Sequence, residues 1–98
     1  MNPKPETSRP MSARPTLRPG CRLSPASNPE SLLLIPEGAL RLHGPGRHIL
    51  ELCDGQRTLS EIVDKLCCVF PTAEASRIAA EAIQFLERLE GKGAVEFL

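Results

Sequence analysis

Four cysteines (Cys21, Cys53, Cys67 and Cys68) and two histidines (His43 and His48) are the side chains best suited to metal binding or nucleophilic chemistry. A structural zinc site takes four such ligands in tetrahedral array. Here no Cys-x-x-Cys pair occurs, and the histidines stand five residues apart. Adjacent Cys67 and Cys68 suggest redox work, but neighbouring helical positions point about 100° apart, one inward and one toward solvent. Cys53 and Cys67 read as small buried apolar side chains. His43, beside Gly44-Pro45, reads as a capping or surface residue. No Gly-x-Ser-x-Gly, phosphate-loop or His-Glu-x-x-His sequence is present. Gly44-Pro45-Gly46 is too short and proline-bearing to cradle a phosphate. The residues point to a protein that is not an enzyme and uses no cofactor or metal.

What remains is recognition through backbone and apolar surface. The 98 residues suffice for one small domain, which buries only roughly 60–65% of its unfolded surface. With no Trp or Tyr and three Phe, the core must be aliphatic. No segment approaches the roughly 20 apolar residues that cross a bilayer, and the start of the chain lacks the apolar stretch of a signal peptide. A cytoplasmic protein with reduced cysteines is expected.

Seven of the ten prolines fall in residues 1–29. That segment carries five basic residues against one acidic, a net of +4, and the remainder carries seven against eleven, a net of −4. Residues 1–13 read as a disordered, basic, proline-rich arm, and 14–98 as the folded domain. Ser31–Ile35 suits a strand, and Gly38–Leu42 alternates after a turn at Pro36-Glu37. Cys21–Leu23 offers a weaker third strand. Three helices follow. Gly44 and Pro45 fit an N-cap and first position, with Ile49, Leu50 and Cys53 on one face and Gly55 at the end. Thr58-Leu59-Ser60-Glu61 is a capping box that opens a helix carrying Leu59, Ile62, Val63, Leu66 and Val69, closed by Pro71. Thr72 can cap the third helix, whose stripe is Ala75, Ile78, Ala79, Ala82, Ile83, Leu86 and Leu89. Ala94–Leu98 is a short terminal strand or docked tail. Strands followed by helices make an α+β, winged-helix-like domain, a short antiparallel sheet of about three strands packed on three helices.

Two helices joined by a turn, with strands nearby, also describe a DNA-binding winged-helix regulator. Charge opposes that alternative. Thr72–Lys92 holds three basic residues against four acidic, with Gln84 as the one amide able to read bases, whereas DNA affinity draws on neutralised phosphates.

The order Pro36-Glu37-Gly38, Leu42, Ile49-Leu50-Glu51-Leu52-Cys53-Asp54-Gly55, Arg57-Thr58 and Glu61-Ile62-Val63 resembles the PqqD family of pyrroloquinoline quinone biosynthesis. Arg14-Pro15 and Leu17 through Leu23 are similar to that family's first strand, so the likeness spans residues 14–98. The resemblance implies a recognition element, itself without cofactor, that binds the ribosomal precursor peptide PqqA. It presents that peptide to the radical S-adenosylmethionine enzyme PqqE, which cross-links a Glu and a Tyr. A related element for a different modified peptide is the neighbouring alternative. His43-Gly44-Pro45-Gly46 departs from the family's Asn-containing helix start, and Ser24–Glu30 is unusually proline-rich. Both bear on peptide preference more than on fold.

In residue terms, a strand of 38–42 at a sheet edge would accept an extended guest. Leu40, Arg41 and Leu42 are expected to supply backbone pairing, and Ile78, Ala82 and Ile83 apolar pockets on the third helix. Asp54, Gly55 and Arg57, in the turn between the first two helices, are the candidates for docking the partner enzyme. An open edge and a loose arm also allow segment exchange in a homodimer.

Overall fold

The computed structural model describes residues 10–25 and 31–98. The first nine residues of the proline-rich arm, and residues 26–30 of the loop that follows Ser24, lie outside the described residues. In chain order the elements are β1 (Pro15–Leu17), β2 (Arg22–Leu23), β3 (Leu32–Ile35), β4 (Gly38–Arg41), α1 (Gly46–Glu51), α2 (Leu59–Val69), α3 (Ala75–Gly91) and β5 (Val95–Phe97). The architecture is α+β.

β3 and β4 form a hairpin about Pro36-Glu37, with Leu33 opposite Leu40 and Leu34 opposite Ala39. β2 adds to the other side of β3 through Arg22–Leu34 and Leu23–Leu33 pairs. Residues directly opposite in a sheet share a face, so Leu23, Leu33 and Leu40 project together. Leu33 is fully buried, and Leu23 and Leu40 pack against the core it belongs to.

The segment likened to one first strand is in fact two. Gly20, at φ +89°, takes a left-handed conformation that suits glycine, and Cys21 N–H donates to the Arg18 carbonyl at 3.0 Å. This turn sends β1 into a separate sheet with β5, in the register Pro15–Phe97, Thr16–Glu96 and Leu17–Val95. Met11 and Ala13, assigned to the arm, lie against the domain. Ala13 is buried in the core, and the Ala13 and Met11 carbonyls accept from Leu59 and Ser60 N–H at 2.9 and 3.1 Å. Those are the first amides of α2, which have no partner inside the helix.

The capping box forms as expected. Glu61 N–H donates to Thr58 Oγ1 at 3.2 Å, and Thr58 N–H donates to Glu61 Oε1 at 2.8 Å. Thr58→Ala is expected to cost about 0.5–2 kcal/mol, read as a lower urea midpoint with an unchanged denaturant slope. The other two helix ends differ from expectation. Pro45, not Gly44, is the N-cap of α1, which is capped at Leu52 before Gly55 is reached. Glu74, not Thr72, is the N-cap of α3, and neither helix has a side-chain cap. Val69 is 48% exposed, and Phe70 packs inward in its place. The interior is built on Leu33, Leu59, Ile62, Leu66, Leu86 and Val95, all at most 1% exposed. No helix among the described residues is long and apolar enough to cross a membrane.

Candidate functional site

β4 is bonded to β3 on one side and has no strand on the other among the described residues. Leu42 N–H donates to the Ser31 carbonyl at 2.9 Å, which fixes the alternation of the ladder. In an antiparallel pair every second residue turns both backbone groups to its partner. Leu40 and Leu42 therefore face β3, and the backbone groups of Ala39 and Arg41 turn to the outer side.

Beyond Leu42 the chain enters a cleft of about 440 Å³. His43, Pro45 and Gly46, which follow β4 in the chain, line it. Ile49, Leu66 and Phe70 contribute from α1 and α2, and Ile78, Ala82 and Phe85 from α3. The stripe that buries Leu86 and Leu89 leaves the neighbouring face of α3, at 78, 81, 82, 85 and 88, lining this cleft, as a helical repeat of 3.6 requires. Gly46 is what brings α1 against α3. A Cβ there would lie 3.2 Å from Phe85 Cζ and 3.7 Å from Leu42 Cβ. The His48 ring meets Phe70 edge-on, with centroids 5.7 Å apart, a favoured aromatic geometry. Arg47 fixes α1 to the sheet by donating to the Ser24 carbonyl at 2.8 Å while pairing with Glu51 at 3.1 Å.

Of the six expected peptide-contact residues, Ile78 and Ala82 line the cleft, and Ala82 is itself core at 1% exposed. Leu40 packs half-buried against the core, Arg41 is exposed on β4, and Leu42 and Ile83 are themselves core. Sequence reasoning did not single out Phe70, Phe85 or Ile49 as walls. The available signal was scarcity, because two of only three aromatic residues converge here.

Asp54, Gly55 and Arg57 form a self-contained turn. Asp54 Oδ1 accepts from Gln56 N–H at 2.9 Å and Arg57 N–H at 3.0 Å, and Oδ2 accepts from the Arg57 guanidinium at 3.0 Å. Gly55, at φ +77°, donates its N–H to the Pro15 carbonyl at 3.1 Å, and a Cβ there would meet Leu98 at 3.3 Å. The turn ties α1 and α2 to β1. The backbone donors of Arg57 and Gln56, then the guanidinium, hold the Asp54 carboxyl below its ordinary value of 3.8. A carboxylate depressed in the folded state stabilises above that ordinary value, and the contribution is lost as pH falls through the lower native value. Asp54→Asn is therefore expected to flatten the acid limb of a stability-against-pH curve below about pH 4. Neighbouring Cys53 is buried, its thiol is pushed up to about 12 by burial and then by Asp54, and its Sγ–H donates to the Ile49 carbonyl at 3.2 Å. It is a core side chain and not a nucleophile.

Comparison with known proteins bears on the family and the fold. The family profile "Coenzyme PQQ synthesis protein D (PqqD)" matches residues 30–95. A PqqA binding protein of Methylococcus capsulatus is 40% identical over 62 residues, 63% of each chain. One from Rhodopseudomonas palustris strain BisB5 is 36% identical over 62 residues, 63% of this chain and 60% of that one. The chain thus spans somewhat under two thirds of these relatives' length. The solution structure of the PqqD truncation of Methylobacterium extorquens PqqCD superposes with a TM-score of 0.70. It is 30% identical, over 84% of this chain and 87% of that one. That truncation is a functional, stand-alone recognition element for ribosomally synthesised and post-translationally modified peptides.

Proposed function

The chain belongs to the PqqD family, and on that premise we propose that it binds a PqqA-type precursor peptide as a strand added to β4, with guest side chains seated in the α3 cleft. The observation that carries this reading is that β4 has no strand on its outer side among the described residues, and that the chain lines an apolar cleft from His43, two residues beyond its end. Strand addition draws affinity from main-chain bonds and specificity from pockets for alternate side chains. Each bond contributes about 0.5–1.5 kcal/mol net, too little by itself for micromolar binding at about −8 kcal/mol. Two or three guest side chains in the cleft, at roughly 1.5–3 kcal/mol each, supply the difference. The names of the relatives support PqqA as the guest.

The protein does no chemistry in this reading. It works in the cytoplasm and holds the peptide for the radical S-adenosylmethionine enzyme PqqE. Asp54, Gly55 and Arg57 remain the proposed docking turn for that enzyme, and PqqE binding that survives Asp54→Lys with Arg57→Glu would remove them from it. A second copy on the β4 edge would form a homodimer in competition with the guest.

Strand addition is tested by calorimetric titration with PqqA peptides N-methylated at single positions. Methylation at alternate guest residues is expected to weaken binding several-fold, because only every second amide faces β4. Equal tolerance at every position would rule out a strand-added guest.

A further inference from the structure

Two charges flank the apolar centre of the cleft, and they differ in how they are paired. Glu81 is held by Arg77 one turn earlier on α3, at 3.3 Å. Arg88, in the last turn of α3, also lines the cleft, and it has no hydrogen bond or ion pair among the described residues. From Ile78 to Arg88 the cleft wall runs ten residues, about 15 Å of helix. Its two ends are therefore unlike, one aliphatic and one cationic.

Resting on the strand-addition reading, we propose that Arg88 is a specificity-determining residue that receives a carboxylate of the guest peptide beside the apolar side chain seated against Phe85. Phe85 and Arg88 are three residues apart, about 4.5 Å along the helix. Alternate side chains of an extended guest repeat every 6.6–6.8 Å or so, and the long arginine side chain spans the difference. The guest is therefore an extended segment with Asp or Glu two positions from an apolar residue. Guanidinium suits this task because its fork matches a carboxylate in two parallel bonds. The surroundings sharpen the selection. Residues 30–98 carry seven basic residues against eleven acidic, a net of −4, so the body opposes an acidic guest except where a cation is in reach.

The test is fluorescence anisotropy with a synthetic PqqA peptide and copies in which each Asp or Glu is changed singly to Asn or Gln. Arg88→Glu is expected to weaken the parent peptide at least tenfold. One amide copy is expected to lose a similar factor on the wild-type protein and little further on Arg88→Glu, the non-additivity of two groups in contact. Arg88→Glu binding within twofold of wild type would overturn the proposal, as would equal losses for every amide copy on both proteins. Ile78→Asp, checked for folding by circular dichroism, separates the two readings. If it loses the peptide when Arg88→Glu does not, the cleft binds a guest without a carboxylate contact. If both variants bind as wild type, the cleft reading fails as well.

Discussion

Leu86→Ala is expected to lower the unfolding free energy by about 2–5 kcal/mol. Leu86 is 0% exposed on α3, the helix that packs against both α2 and β5. Truncation removes buried apolar contact and leaves a void that a close-packed interior fills only in part. A domain of this size has a total stability of order 5–15 kcal/mol, so the variant would stand close to unfolding at physiological temperature. Urea denaturation followed by helical circular dichroism reads the effect as a lower midpoint. Leu86→Met, which keeps the volume, is expected to cost under about 1.5 kcal/mol. Equal losses for the two variants would mean that shape, not burial, sets the cost.

How well the sequence forecast each element follows from how local its cause is. The Thr58–Glu61 box and the β3–β4 hairpin depend on residues a few positions apart, and both form where their residue types require. The pairing of β1 with β5 joins residues some 80 positions apart, and a two-residue strand such as β2 carries almost no pattern of its own. Helix starts were misplaced where no side chain caps them. Pro45 and Glu74 occupy the N-cap positions by backbone conformation alone, which residue preferences do not encode.

The site was legible in kind but not in phase. An edge strand followed by helices follows from the order of elements. Which apolar residue faces the cleft and which the core depends on a rotation of a few tens of degrees, fixed only by tertiary packing. Phe85 and Leu89 are four positions apart, about 40° around one helix, and Leu89 is core whereas Phe85 lines the cleft. On β4 the parity set by the Leu42–Ser31 bond turns the backbone groups of Leu40 and Leu42 to β3, a distinction that alternation of apolar and polar residues cannot supply.

Phe85→Ala is expected to weaken the precursor peptide about three- to tenfold. Full burial of a phenylalanine side chain is worth about 1.5–3 kcal/mol, and about 1.4 kcal/mol is tenfold in affinity. Phe85 is half-buried in the free protein, so the guest completes only part of that burial and the loss sits toward the lower end. Gly46 supplies an independent check on the ring's position. A methyl at Gly46 would stand 3.2 Å from Phe85 Cζ and 3.4 Å from Cε1, closer than ordinary carbon contacts of about 3.5–4.0 Å. Gly46→Ala therefore requires the ring to shift by a few tenths of an ångström, and this is expected to reduce affinity while the fold persists. In a Phe85→Ala background the same methyl has room, so adding Gly46→Ala is expected to cost no further affinity. Calorimetric titration of the two single variants and the double variant reads this directly. Strictly additive losses would show that the ring does not stand between Gly46 and the guest, and Phe85 could not then be the wall of the site.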